Sequence, residues 1–186
     1  MLGEKMKNLK KYKVVIVCTI LLLIIFLQYI PRPVDKSIQL VQYQNNNLYY
    51  EQPLSIQIEG KYYRSLFKDD LFKGSINLNN YDFTEEWHTV DIVFNDGYGI
   101  LRYIKLNNTP LGDWSIDSKT LGIILATPGF DNFSILFDGG QNSNPSLWSS
   151  ENTLFIAYPA NNRKEALNIL EKLSSRSELV SDFKWN

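Results

Sequence analysis

The sequence predicts a mainly β fold, an antiparallel sandwich or barrel-like domain, with one N-terminal transmembrane helix and one C-terminal amphipathic helix. Three observations lead there. An unbroken apolar run lies near the N-terminus. A series of short alternating segments follows, separated by turn residues. A single segment near the C-terminus has helical spacing.

The apolar run comes first. Between Val14 and Leu27, twelve residues are Val, Ile, Leu or Phe, interrupted only by Cys18 and Thr19. At about −0.3 to −0.6 kcal/mol each for insertion, they supply roughly −4 to −7 kcal/mol. Residues 14–30 as a helix reach about 26 Å, the short end of what bridges a ~30 Å hydrocarbon core. Tyr29 suits the interface, and Pro31 and Pro33 stop the helix because neither donates a backbone N–H. Bulky residues from Gln28 to Arg32 replace the small-x-small site of a cleaved signal peptide, so the run reads as a retained anchor. Cys18, in the middle of it behind Val17, reads as a spectator thiol and not a lipidation site.

Lys5, Lys7, Lys10, Lys11 and Lys13 flank the run on its N-terminal side. They favour a cytoplasmic tail, residues 1–13, and an extracytoplasmic remainder. The flank and run carry a net charge of +4 and the remainder −5. A mildly acidic domain is a poor electrostatic partner for nucleic acid. Cys18 is the only cysteine, so the remainder forms no disulfide. That composition favours a bacterial cell membrane over an animal cell surface.

Residues 31–37 read as a linker, and residues 38–175 as one β domain with its helix. Leu54, Ile56 and Ile58 alternate with Ser55, Gln57 and Glu59. Phe72, Gly74, Ile76 and Leu78 alternate with Lys73, Ser75 and Asn77. Val90, Ile92 and Phe94 form a third series, and Asp96-Gly97 signals a hairpin into residues 100–106. Residues 38–43, 114–117, 121–126, 133–137 and 154–158 are the other strand candidates. Asn108-Thr109-Pro110, Pro128-Gly129, Asp138-Gly139-Gly140 and Asn144-Pro145 supply turns between them.

The helix is expected over residues 163–174. Asn162 caps it and Glu165 completes a capping box. Ala166, Leu167, Ile169, Leu170 and Leu173 share its apolar side. Residues 176–186 are a polar tail that ends near Trp185.

Few residue patterns in the chain point to catalysis. His88 is the only histidine, which excludes a typical zinc site and leaves any Ser-His-Asp triad dependent on it. It reads as a surface or half-buried histidine. No Gly-x-Ser-x-Gly elbow and no phosphate-binding Gly-rich loop before a helix occur. Carboxylates remain: Glu85-Glu86, Asp69-Asp70, Asp96, Asp131 and Asp138 are turn formers that could pair for glycoside chemistry. Trp87, Trp114 and Trp148 lie near strand ends or loops and are the candidate ligand-binding residues, against the plainer reading that they fill the core and its rim. Tyr49-Tyr50 and Tyr62-Tyr63 place one ring on each strand face.

The stretch Leu154-Phe155-Ile156-Ala157-Tyr158-Pro159-Ala160, followed by Asn161-Asn162-Arg163-Lys164-Glu165-Ala166, resembles the C-terminal end of uncharacterised single-pass envelope proteins of low-GC Gram-positive bacteria. The resemblance covers about a sixth of the chain and implies no activity. The expectation is therefore a membrane-anchored extracytoplasmic module, non-enzymatic and without cofactor, that binds an envelope protein or a cell-wall component. Its alternatives are an accessory subunit recruited through the transmembrane helix and a carboxylate-dependent hydrolase.

Overall fold

The computed structural model describes residues 13, 15–20, 23, 30–65, 68–108, 114–137 and 153–175. The strands are β1 (Arg32–Gln44), β2 (Asn47–Tyr63), β3 (Asp70–Leu78), β4 (His88–Thr89), β5 (Ile92–Phe94), β6 (Tyr98–Asn108), β7 (Trp114–Ala126), β8 (Phe133–Phe137) and β9 (Leu154–Tyr158). The helices of this part are α1 (Phe83–Glu86) and α2 (Arg163–Ser174).

Among the described residues the strands form a single antiparallel sheet, in the order β4-β6-β7-β8-β9-β1-β2-β3-β5. It curls into a half-barrel, so one sheet replaces the two facing sheets of a sandwich. The curl carries β6 back to β3, where the Tyr103 hydroxyl donates to the Ile76 carbonyl at 2.6 Å. Burial holds that hydroxyl protonated, well above the ordinary tyrosine range. Thr89 Oγ1 accepts from the Ile76 N–H, and Thr84 Oγ1 accepts from the Leu78 N–H. Side chains thus satisfy the part of the β3 edge that β5 does not reach.

Two glycines allow the curl. Gly60 and Gly74 sit opposite each other on β2 and β3. A Cβ on Gly74 would meet Gly60 Cα at 2.6 Å, and one on Gly60 would meet Phe72 Cζ at 2.9 Å. No larger residue fits so close an approach. Phe130 fills one end of the half-barrel and meets Tyr62, Phe72, Phe94 and Phe133 in edge-to-face contacts.

The core has two layers. Inside the curl lie Ile56, Ile58, Phe72, Ile76, Tyr103, Ile124, Phe133, Ile135 and Phe137, among others. On the outer face, α2 covers Ile123, Leu125, Leu136, Phe155 and Ala157 with Ala166, Leu170 and Leu173. β8 is buried on both faces, which explains why four of its five residues are apolar, and the buried Ser134 hydroxyl donates to the Ile156 carbonyl. Burying Leu170 and Leu173 contributes roughly 1.5–3 kcal/mol each.

α2 spans the residues its spacing predicts. The Asn162 side chain accepts from the Glu165 N–H at 3.0 Å, and Glu165 Oε2 accepts from the Asn161 N–H at 2.8 Å. The Asp96-Gly97 hairpin also forms, with φ of 48° and 80° at its two central residues. β1 begins at Arg32, six residues before the strand read from sequence, because residues 32–37 pair with β2 from Ser37↔Gln57 to Arg32↔Tyr62. Most of the expected linker is therefore sheet. Segments 114–117 and 121–126 merge into one strand across a register shift. Of the series from Val90 to Phe94, only Ile92–Phe94 forms a strand, β5 on one sheet edge, while the preceding His88–Thr89 forms β4 on the other.

The apolar run 14–30 lies mostly outside the described residues. Of its described part, residues 15–20 and 23 are helical, with Val15, Ile16, Val17, Ile20 and Leu23 all exposed. Among the described residues no helix is long and apolar enough to cross a membrane.

Candidate functional site

β6 and β7 form a long hairpin whose far end leaves the body of the sheet. β8 pairs with β7 only along residues 122–126, and β4 pairs with β6 only at Tyr103 and Ile104. Residues 105–108 and 114–120 therefore pair only within the hairpin, with no described strand on their other edge. Strand alternation then sorts their side chains. Leu101 and Tyr103 point into the core, so Ile100, Arg102, Ile104, Leu106 and Asn108 point outward. Leu106 stands directly opposite Ile116, and Asn108 opposite Trp114.

The result is an apolar stripe on the outer face. Leu106 is 54% exposed, Trp114 69% and Ile116 66%. Ile100 extends it towards the α2 layer, and half-buried Ile104 lies between. The reverse face of the same hairpin is polar: Lys105 opposes Asp117, and Asn107 donates to Asp117 at 2.6 Å. Soluble surfaces carry scattered apolar residues, but three adjacent ones on one strand pair form a patch that suits a partner.

A concavity lies where the curled sheet meets α1. This open cleft of about 510 Å³ is lined by Glu59, Gly74, Glu85, Trp87, His88 and Thr89, among others. Its volume suits a small ligand. Glu86, next to it in sequence, turns away to Lys105 at 3.6 Å.

The tryptophans expected as ligand-binding residues separate. Trp114 joins the exposed stripe. Trp87 is half-buried beside the cleft, edge-on to Phe83 at 6.0 Å, and packs against the core. Trp148 lies outside the described residues. His88 is exposed, the surface histidine expected of it. Tyr49 is 96% exposed and Tyr62 is buried, as strand alternation requires within each tyrosine pair. Of the carboxylates, Asp70 accepts from the Tyr62 hydroxyl and the Ser65 N–H, and Asp131 meets Lys36 at 3.3 Å. Asp138 is outside the described residues. Among the described residues no three His, Cys, Asp or Glu side chains gather to hold a metal ion.

Leu106 and Ile116 escape notice in the sequence because isolated apolar residues in a strand read as core. The usable signal is the Trp114/Ile116 alternation with Ser115 and Asp117 in a segment that also carries Lys119. Glu59 and Gly74 give no signal, since only the curl brings them to α1. No family model, no curated protein and no solved structure matches the chain.

Proposed function

We propose that this chain is a non-enzymatic binding module, held by residues 14–30 in a bacterial cell membrane, with its β domain on the extracytoplasmic side. Its partner is an envelope protein or a cell-wall component. The observation that supports it best is the exposed stripe of Leu106, Trp114 and Ile116. Large, rigid aromatic and aliphatic side chains of this kind anchor interfaces. Tethering raises the effective concentration of the module for partners in the same envelope.

The test places a photo-crosslinking residue at Asn108, beside Trp114, and irradiates the chain in its native membrane. A discrete adduct that disappears in the Leu106→Ser/Ile116→Ser variant supports the reading. Absence of an adduct in both sinks it. Exchange of residues 14–30 for an unrelated anchor separates this role from that of an accessory subunit recruited through the helix. A free module keeps its adduct after the exchange, and a helix-recruited subunit loses it.

A further inference from the structure

The cleft beside α1 has no part in the role assigned to the outer stripe. Its walls come from different parts of the sheet. Glu59 on β2 stands opposite Ser75 on β3, and strand alternation puts Asn77 on the same face. Glu85, Trp87 and His88 form the other wall. Gly60 and Gly74, paired across β2 and β3, contribute bare backbone to the lining, and Gly74 is exposed although it lies in mid-strand. A strand glycine of this kind lets another molecule approach the backbone closely.

The second wall is fixed in advance. Thr84 Oγ1 bonds both the N–H and the carbonyl of Leu78, and Thr89 Oγ1 accepts from the Ile76 N–H. Trp87 is edge-on to Phe83, which is itself edge-on to Tyr103 at 5.4 Å. A half-buried ring held from behind leaves part of its surface to the cleft and loses little freedom on binding.

The lining selects a class of ligand. Glu59 and Glu85 are exposed, take part in no ion pair among the described residues, and share the lining with no lysine or arginine. Lys61 and Lys73 face each other one pair beyond the glycines, outside the lining, and Lys73 is already 3.2 Å from Asp91. Carboxylates without a cation disfavour an anionic ligand. Among the described residues Glu59, Glu85 and His88 do not gather closely enough to hold a metal ion, so they suit a molecule whose polar groups are spread along its length. Trp87 is the one large apolar side chain of the lining, too little for an apolar ligand. A neutral sugar fits what remains: a C–H face for the indole ring, and hydroxyls for the carboxylate, amide and hydroxyl side chains.

We propose that this cleft binds a neutral glycan, with one pyranose ring against Trp87 and with sugar hydroxyls donating to Glu59 and Glu85 and bonding Ser75 and Asn77. The site goes beyond the binding role of the stripe. It lies on a different surface and is read with a soluble sugar, so either result stands without the other.

The experiment titrates the full chain with linear tetrasaccharides of glucose and of N-acetylglucosamine by calorimetry, in a zwitterionic detergent without a sugar headgroup. At least one of the two is expected to bind, and a tetrasaccharide of a uronic acid binds about tenfold more weakly or worse. Glu59→Gln and Glu85→Gln keep the side-chain shape and remove the charge. Each weakens binding about tenfold, the loss of a hydrogen bond to a charged group. Trp87→Ala weakens it by a similar factor. Trp87 also packs against the core, so circular dichroism checks the fold of that variant, and the two exposed glutamates decide the matter if it unfolds. Glu171→Gln, an exposed carboxylate on α2, leaves the affinity unchanged. Binding of neither neutral sugar overturns the inference. So does binding that survives both Glu59→Gln and Glu85→Gln, which puts the sugar elsewhere. Equal or tighter binding of the uronic acid overturns it too.

Discussion

Residues 114–119 of β7 are all exposed, whereas residues 121–126 are all buried. The two halves share one backbone and one partner strand, β6. They differ in what lies beside and above them. The second half has β8 alongside and α2 on its outer face; the first half has neither among the described residues. The register shift beside Leu101 and Arg102 marks the boundary, and there β7 carries one residue more than β6. Burial here is thus set by neighbours and not by strand propensity. Stability belongs to the covered half, while a surface free to bind belongs to the bare one.

The largest expected effect is in the covered half. Leu136 is fully buried under α2, beside Ile123 and Leu125. Leu136→Ala leaves a cavity in a layer closed on both sides, and about 2–5 kcal/mol of stability is lost. Urea unfolding followed by tryptophan fluorescence reads this as a lower midpoint with an unchanged slope. A cost below about 1 kcal/mol there breaks the comparison.

Next comes Gly122, where β7 passes β8. A Cβ at that position would run into the Leu136 carbonyl oxygen and lie 3.0 Å from the Leu136 carbonyl carbon and 3.3 Å from Phe137 Cα. Backbone cannot move aside as a flexible side chain does. Gly122→Ala is expected to cost about 1–3 kcal/mol, the range for overpacking, and thermal unfolding measures it. Ser115→Ala, in the bare half, is the matched control and leaves the melting point within a degree or two.

The cap of α2 tests how the cover is held. Asn162→Ala removes the acceptor of the Glu165 N–H and costs about 0.5–2 kcal/mol. Glu165 adds a pH dependence. The Asn161 N–H, then the Asn162 and Asn161 side-chain amides, hold its carboxyl below the ordinary carboxylate range. A depressed folded value means the contribution is complete above the ordinary glutamate pKa and fades as pH falls through the folded value. Glu165→Gln therefore narrows the stability difference between pH 7 and pH 3, read by urea unfolding at each pH. An unaltered difference shows that the box contributes nothing.

How much of this contrast the sequence displays depends on the neighbours. α2 is legible to the residue because its cap, its box and its apolar spacing are all local. The Asp96-Gly97 hairpin is legible for the same reason: both residues adopt positive φ, which this pair tolerates. β8 and β9 are legible as short apolar runs. The half-barrel is not, because it depends on Gly60 meeting Gly74 across two strands. Neither is α1, four residues held by Thr84 bridging to Leu78. The site shows the same division. Trp114 stands out as a residue type, but its companions Leu106 and Ile116 become a patch only when β6–β7 register places them together.

The smallest expected effect is in the bare half. Ile116→Ser removes one member of the cross-strand pair with Leu106, and such pairs contribute about 0.2–1 kcal/mol. The side chain is already 66% exposed, so little apolar area returns to water when it unfolds. The stability cost should stay under about 1 kcal/mol, well below that of Leu136→Ala on the neighbouring strand. Urea unfolding of both variants, side by side, makes the comparison direct. A cost near that of Leu136→Ala breaks the comparison, because it means that Ile116 is covered in the native chain.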